Sequence, residues 1–164
     1  MHRPQKEHLE VVTRIVRYLK GTLGKGILYQ RNGHLEIQVY TDAEWVGNPN
    51  DRKSTARYFT LVGGNLVTWR RKKQRVVALS SAEAEFRGIA RGIAEILWVR
   101  KVLTELGFPP KTRSRLMSDN KAAISIYENP VQHDRTKDVE IDRHFIKDKL
   151  EDKTTCLHVV RSND

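Results

Sequence analysis

The chain has 164 residues, enough for one domain with a real hydrophobic core. Thirty Lys and Arg against twenty Asp and Glu leave a formal charge of +10, which points to a polyanionic partner or to no partner at all. The single cysteine, Cys156, excludes an internal disulfide and a cysteine-rich zinc site. No apolar run approaches membrane length and "MHRPQKEH" lacks the apolar centre of a secretion signal, so a soluble protein of a reducing cytoplasmic or nuclear setting, with no membrane contact, is expected.

In chain order, "HLEVVTRIVRYLK", residues 8–20, sets Val11, Val12, Ile15, Val16 and Leu19 at helical spacing, and Gly21 stops the helix. "GKGILYQRNGHLEIQVYTDA" predicts two strands around a turn at Asn32-Gly33. In the second of them Leu35, Ile37 and Val39 alternate with Glu36, Gln38 and Tyr40, the pattern of a half-buried strand. "ARYFTLVGGNLVTWRRKKQR" predicts a further hairpin turning at Gly63-Gly64-Asn65. From Leu79 the pattern changes: "LSSAEAEFRGIARGIAEILWVRKVLTELGF" predicts a long amphipathic helix with Gly107 as its stop. A short strand ("SRLMSD"), a short helix ("NKAAISIYEN"), a polar loop containing Pro130, a helix ("VEIDRHFIKDKLE") and a last strand ("TTCLHVVRS") complete the order. Three antiparallel strands, a helix, then strands alternating with helices describe an α/β domain with a mixed sheet flanked by helices.

Three acids stand out against this frame. Asp42 falls just past the carboxyl end of its strand, where alternation puts it on the face of Gln38 and Tyr40 and a kink would turn it inward. A turn acid opening the polar loop Gly47 to Asp51 and a metal ligand on a rigid strand are both open readings. On the long helix, Ser80 and Glu83 form a capping box, which accounts for Glu83. Glu85 has no such account: it heads the stripe of Ile89, Ile93 and Leu97 that must pack on the sheet, and a carboxylate there costs several kcal/mol unless a cation or donors compensate it. Asp119 ends the "SRLMSD" strand, where it either caps the next helix or repeats the placement of Asp42. Two strand-end aspartates and one buried-face glutamate together resemble a hard oxygen cage for Mg²⁺.

"YTDAEWVGNPNDRKST", "GGNLVTWRRKKQRVVALSSAEAEFRGIA", "SDNKAAISIYENPVQHDRTK" and "VEIDRHFIKDKLE" resemble, in this order, the ribonuclease H domain of Ty1/copia-type retrotransposon polyproteins, particularly those of plants. Residues 1–30, with "RIVRYLKGT", resemble the connection from reverse transcriptase, and 31–164 the RNase H-like domain itself. The resemblance implies a five-stranded mixed sheet with its first three strands antiparallel and helices on both sides. It implies cleavage of the RNA strand of RNA–DNA hybrids, with Asp42, Glu85 and Asp119 as catalytic and metal-binding groups. Two Mg²⁺ ions about 4 Å apart, or Mn²⁺ in their place, clamp the scissile phosphate in that scheme. Glu85 is also expected to face the ribose 2′-hydroxyl. The reverse transcriptase domain of the same polyprotein is the implied protein partner.

The family differs in two places. It has a histidine where this chain has Asp138, and its chain continues into a helix with an "LAD" motif whose Asp supplies a fourth carboxylate. The sequence given stops at Asp164, so a missing last helix, weakened cleavage and an exposed last strand are expected. None of Glu140, Asp142 and Asp164 matches the fourth position. The other reading is accordingly a truncated or domesticated module that binds nucleic acid or protein with little catalysis. An integrase-type strand transferase is disfavoured, because the motifs match the ribonuclease throughout.

Among the basic features, Arg52, Lys53, Arg71 and Lys73, with the hydroxyls of Ser54 and Thr55, are expected to contact phosphates. His133 and His144 fit no zinc spacing. Trp45, Trp69 and Trp98 are expected in the core or at its rim, Trp45 with a possible ribose contact.

Overall fold

The computed structural model describes residues 3, 5–46, 52–119 and 137–160, with the backbone alone at 137–140. The expected helix from Asn120, the loop with Pro130, His133 and Asp164, and the side chains of Asp138 and Glu140, lie outside what is described. In chain order the elements are α1 (Lys6–Gly21), β1 (Ile37–Glu44), β2 (Thr55–Val62), β3 (Asn65–Lys73), α2 (Ser81–Glu105), β4 (Ser114–Ser118), α3 (Lys137–Glu151) and β5 (Thr155–Val159).

The five strands form one sheet in the order β3-β2-β1-β4-β5. β1 and β2, and β2 and β3, pair antiparallel, whereas β4 runs parallel to both β1 and β5. The β2–β3 hairpin turns on Gly63 and Gly64, whose φ angles of 57° and 78° are those of the mirror-image turn that suits strand twist. A Cβ at Gly63 would sit 2.4 Å from the His34 carbonyl oxygen, so glycine is required there for space as well as for φ.

The other expected hairpin is corrected. Residues 25–36 form no strand, and β1 starts only at Ile37. The reason is topological: β2 and β4 occupy the two edges of β1, which leaves no backbone for an arm before Asn32 to pair with. The arm is instead tied to the neighbouring turn. Asn32 Nδ2 donates to the Gly63 carbonyl at 2.7 Å, the Gln30 amide donates to Asn65 Oδ1 at 2.7 Å, and Asn65 Nδ2 donates to the Gln30 carbonyl at 2.9 Å.

α2 begins where Ser80 Oγ accepts the Glu83 amide at 3.1 Å. Its Phe86, Ile89, Ile93 and Ile96 pack with Ile37 and Val39 of β1, Leu116 of β4 and Ile146 of α3 into one core on one face of the sheet. The helix approaches the β1–β4 seam so closely that a Cβ on Gly92 would lie 2.5 Å from Thr41 Cγ2 and 2.6 Å from Leu116 Cδ1. On the opposite face Tyr40 and Phe59 stack with centroids 4.6 Å apart, and Phe59 and Trp69 remain exposed. α1 keeps its expected apolar stripe but buries none of it. On β5, Val159 is exposed and Leu157 is partly buried against the core. Among the described residues, no helix is long and apolar enough to cross a membrane.

Two glycines of one helix give opposite expectations. Gly92→Ala is expected to destabilise the domain by about 1–3 kcal/mol through overpacking. Gly88→Ala places its methyl 3.8 Å from Ala43 Cβ, an ordinary contact. It is expected to be neutral or to stabilise by up to ~1 kcal/mol from helix propensity. Urea unfolding of both variants distinguishes the signs; equal effects would mean that the helix sits farther from the sheet.

Candidate metal centre

Strand register brings the two aspartates together. Thr41 of β1 lies beside Ser118 of β4 in the parallel ladder, and the next residues on each are Asp42 and Asp119. The alternation of β1 holds to its end, so Asp42 is exposed on the side of Gln38 and Tyr40 while Thr41 and Ala43 point to the core. Glu85 comes from the helix side, second residue of the turn after the cap box, and is only 6% exposed. Its Oε1 accepts the Ala43 amide at 2.9 Å. The three carboxylates therefore meet at the rim of the sheet, each offering an oxygen within 4.8 Å of the others.

The electrostatics of this cluster call for a cation. Burial is the largest cause that pushes the Glu85 carboxyl up to about 7, and the Asp42 and Asp119 charges add to it, against the Ala43 amide and Arg57. Glu85 Oε2 is buried and has no hydrogen-bond partner. A hard divalent cation satisfies that orphaned oxygen and offsets the repulsion among three carboxylates, and an all-oxygen donor set is the kind such a cation takes. The residues present thus fit a metal, with Asp42, Glu85 and Asp119 to hold it.

Glu83 has the structural role expected of it. Its Oε2 accepts the Leu79 amide at 2.7 Å and its Oε1 accepts Arg87 Nη2 at 2.7 Å. Asp142, on α3, faces Arg91 rather than the acidic cluster. His144 is exposed on the same helix.

The basic flank is partly revised. Arg52, with φ of 51°, Arg71 and Lys73 are exposed, and Lys53 and Thr55 are half-buried. Ser54 is corrected: it is fully buried and its Oγ accepts the Val46 amide at 3.4 Å, which closes it off from a phosphate. Arg57 was not singled out from the sequence. It is the antiparallel partner of Asp42, with its Nε 3.4 Å from Asp42 Oδ2 and its Nη2 2.8 Å from Glu44 Oε2. Only the pairing register of β1 with β2 reveals it. The tryptophans are corrected: Trp45, Trp69 and Trp98 are all exposed, Trp45 being tethered by its Nε1–H, which donates to the Ala78 carbonyl at 3.1 Å.

No family model matches the chain. In sequence it is 39% identical over all 164 residues to the retrovirus-related Pol polyprotein from transposon RE1 of Arabidopsis thaliana, and it spans 11% of that protein's length. Along its whole length the chain is similar to Ty1/copia-type Pol polyproteins. In structure it is similar to LC11-RNase H1, solved in complex with an RNA/DNA hybrid, at a TM-score of 0.53 and 14% identity over 77% of this chain and 85% of that one. It is also similar to the foamy viral protease-reverse transcriptase in complex with dsDNA, at a TM-score of 0.54 and 12% identity over 99% of this chain and 30% of that one. The chain therefore has the RNase H-like fold, with its mixed five-stranded sheet.

Glu85 also makes the metal-free protein sensitive to pH. Because its folded pKa lies above the ordinary value of 4.5, the fold favours the protonated acid. That contribution to stability is complete below about 4.5 and is lost as pH rises through about 7. In EDTA, urea unfolding is expected to show stability falling between these values, and Glu85→Gln is expected to flatten the fall. An identical profile in the variant would remove Glu85 from the buried cluster.

Proposed function

We propose that this domain is a divalent-metal-dependent endoribonuclease, using Mg²⁺, that cleaves the RNA strand of RNA–DNA hybrids during retrotransposon replication. The observation that carries the reading is the convergence of Asp42, Glu85 and Asp119 from three separate elements on one rim. Asp42, Glu85 and Asp119 would hold Mg²⁺, which would supply stabilisation of the charge on the scissile phosphate and a more acidic attacking water. The chain's own groups do the rest. The Ala43 amide fixes one oxygen of Glu85, leaving the other to face the metal. Glu85 must shed its proton for that purpose, so metal affinity rises with pH. Arg57 holds Asp42 in place from the neighbouring strand. Glu85 is also positioned at the ribose 2′-hydroxyl, by which RNA is told from DNA. Arg52, Lys53, Thr55, Arg71 and Lys73 contact backbone phosphates. We assign residues 1–30 to the connection with a reverse transcriptase domain of the same polyprotein, to which α1 offers its uncovered apolar stripe. The setting is intracellular, cytoplasmic or nuclear.

The test compares an RNA–DNA hybrid with duplex DNA, with and without Mg²⁺. Cleavage of the hybrid alone, only with metal, is the expected result. Asp42→Asn and Glu85→Gln are each expected to lower the rate by roughly 10²-fold or more while leaving hybrid binding intact, as befits groups that act at the reacting phosphate. Mg²⁺ is expected to raise the melting temperature of the native protein and not that of Asp42→Asn. Binding without cleavage in every condition would favour a nucleic-acid-binding module instead.

Salt dependence tests the phosphate contacts separately. Each phosphate neutralised contributes a log–log slope of about −0.9, so replacing Arg52 and Lys53 together is expected to flatten the slope by roughly two contacts. An unchanged slope would put the nucleic acid on another face.

A further inference from the structure

A second polar feature lies away from the acidic rim, on the helix-bearing side of the sheet. Between β3, α2 and α3 runs a groove of two adjoining cavities of about 440 Å³ and 350 Å³, which share Arg75, Arg91 and Ala94 in their walls. Arg87 and Asp142 complete the first, and Arg70, Lys72 and Glu95 line the second. Five cationic side chains thus face the groove against two acids, of which Glu95 is engaged by hydroxyls and Asp142 offsets part of the charge of Arg91. Glu95 accepts the Tyr58 hydroxyl at 2.9 Å and the Thr68 hydroxyl at 2.7 Å, while Asp142 faces Arg91.

The deepest of the cations is incompletely satisfied. Arg87 is 8% exposed and spends its Nη2 on Glu83, yet its Nε is buried without an acceptor. Burial also holds the Arg91 guanidinium below its ordinary range; Asp142 opposes this, and the charges of Arg70, Arg87 and Arg75 act with it. Arg87 is buried and short of an acceptor, Arg91 is half-buried, and Arg70, Lys72 and Arg75 stand exposed around them; like charges crowded in this way are what an anion relieves. The floor contributed by Ala90 and Ala94 is small and flat enough to admit a ligand against the guanidinium groups.

We propose that this groove binds phosphodiester groups of the nucleic acid at a distance from the cleavage point. The proposal rests on the nuclease reading above and extends its footprint. Arg91 lies six residues beyond Glu85 on the same helix, about 9 Å along its axis. A strand advances about 3.4 Å per nucleotide, so a phosphate some three nucleotides from the acidic rim comes level with Arg91. Free phosphate has the same chemistry and is the competing occupant.

The experiment uses the full chain in EDTA, so that neither metal binding nor cleavage enters. Affinity for an RNA–DNA hybrid is read by fluorescence anisotropy across a salt series, and the response to inorganic phosphate by melting temperature. The double variant Arg75→Gln with Arg91→Gln is expected to bind the hybrid at least tenfold more weakly, with a salt slope flatter by about two contacts. Arg91→Lys, which keeps the charge, is expected to retain most of the binding. Unchanged affinity and slope in a double variant that melts normally would overturn the proposal. So would a loss of the phosphate response without loss of hybrid binding, which would assign the groove to free phosphate. Should the double variant misfold, Lys72→Gln and Arg70→Gln, both on the exposed outer wall, carry the same expectation and the same refutation. Failure of the nuclease reading is distinguishable: native protein that never cleaves, while the double variant still binds more weakly, leaves the groove assigned and the catalysis refuted.

Discussion

The hydrogen bond from the Ala43 amide to Glu85 joins the end of the central strand to the start of the long helix, and the acidic rim depends on it. A second anchor lies two turns along the helix, where Gly92 lets the backbone settle onto Thr41 and Leu116. Two points define a line, and this line runs over the seam between β1 and β4. Because that seam is parallel, equal advances along both strands end at equal height, which is why Asp42 and Asp119 finish side by side. An antiparallel partner for β1 at that edge would have sent the second aspartate to the far end of the sheet.

The cluster is held by geometry against its own electrostatics. Hydrophobic packing of Ile89, Ile93 and Ile96 stabilises the helix position by far more than the carboxylates repel, so the acids are brought together whether or not their charge is compensated. Relief comes from three sources of different kind. Ala43 donates a hydrogen bond, Arg57 supplies a positive charge from β2, and a proton on Glu85 removes one of the negative charges. A divalent cation bound there would compete with the last of these, and the buried, unpartnered Oε2 of Glu85 is where proton and metal would meet.

Local sequence carried the parts of this arrangement that local physics decides. The stripe headed by Glu85 and the capping box at Ser80 and Glu83 are helix-spacing signals, and both acids took the roles that spacing implies. The Gly63-Gly64 turn likewise was legible, because β3 follows β2 directly and one edge of β2 is free to receive it, the other edge pairing with β1. The same kind of signal at Asn32-Gly33 misled, since a turn dipeptide says nothing of whether an edge is free, and both edges of β1 were taken. Ser54 misled for a related reason. Its neighbours are basic and exposed, but the strand entry turns its hydroxyl inward to the Val46 amide, a contact set by tertiary fold. Arg57 and the groove around Arg91 were invisible because each needs two elements placed before it means anything.

A protein of formal charge +10 that gathers its carboxylates at one rim presents a polyanion with an opposition of signs. Without metal the rim repels phosphate, and attraction must come from cations placed elsewhere. The fold supplies these on the strand edges and in the groove beside α2, where Glu83 pairs with Arg87. Alternate positions of one helical turn thus send one carboxylate to the rim and one to the arginine side. Attraction and chemistry are consequently carried by different side chains, joined through a single rigid helix. A divalent cation at the rim would offset two of its three negative charges, so that the rim would repel a phosphate far less than the bare carboxylates do.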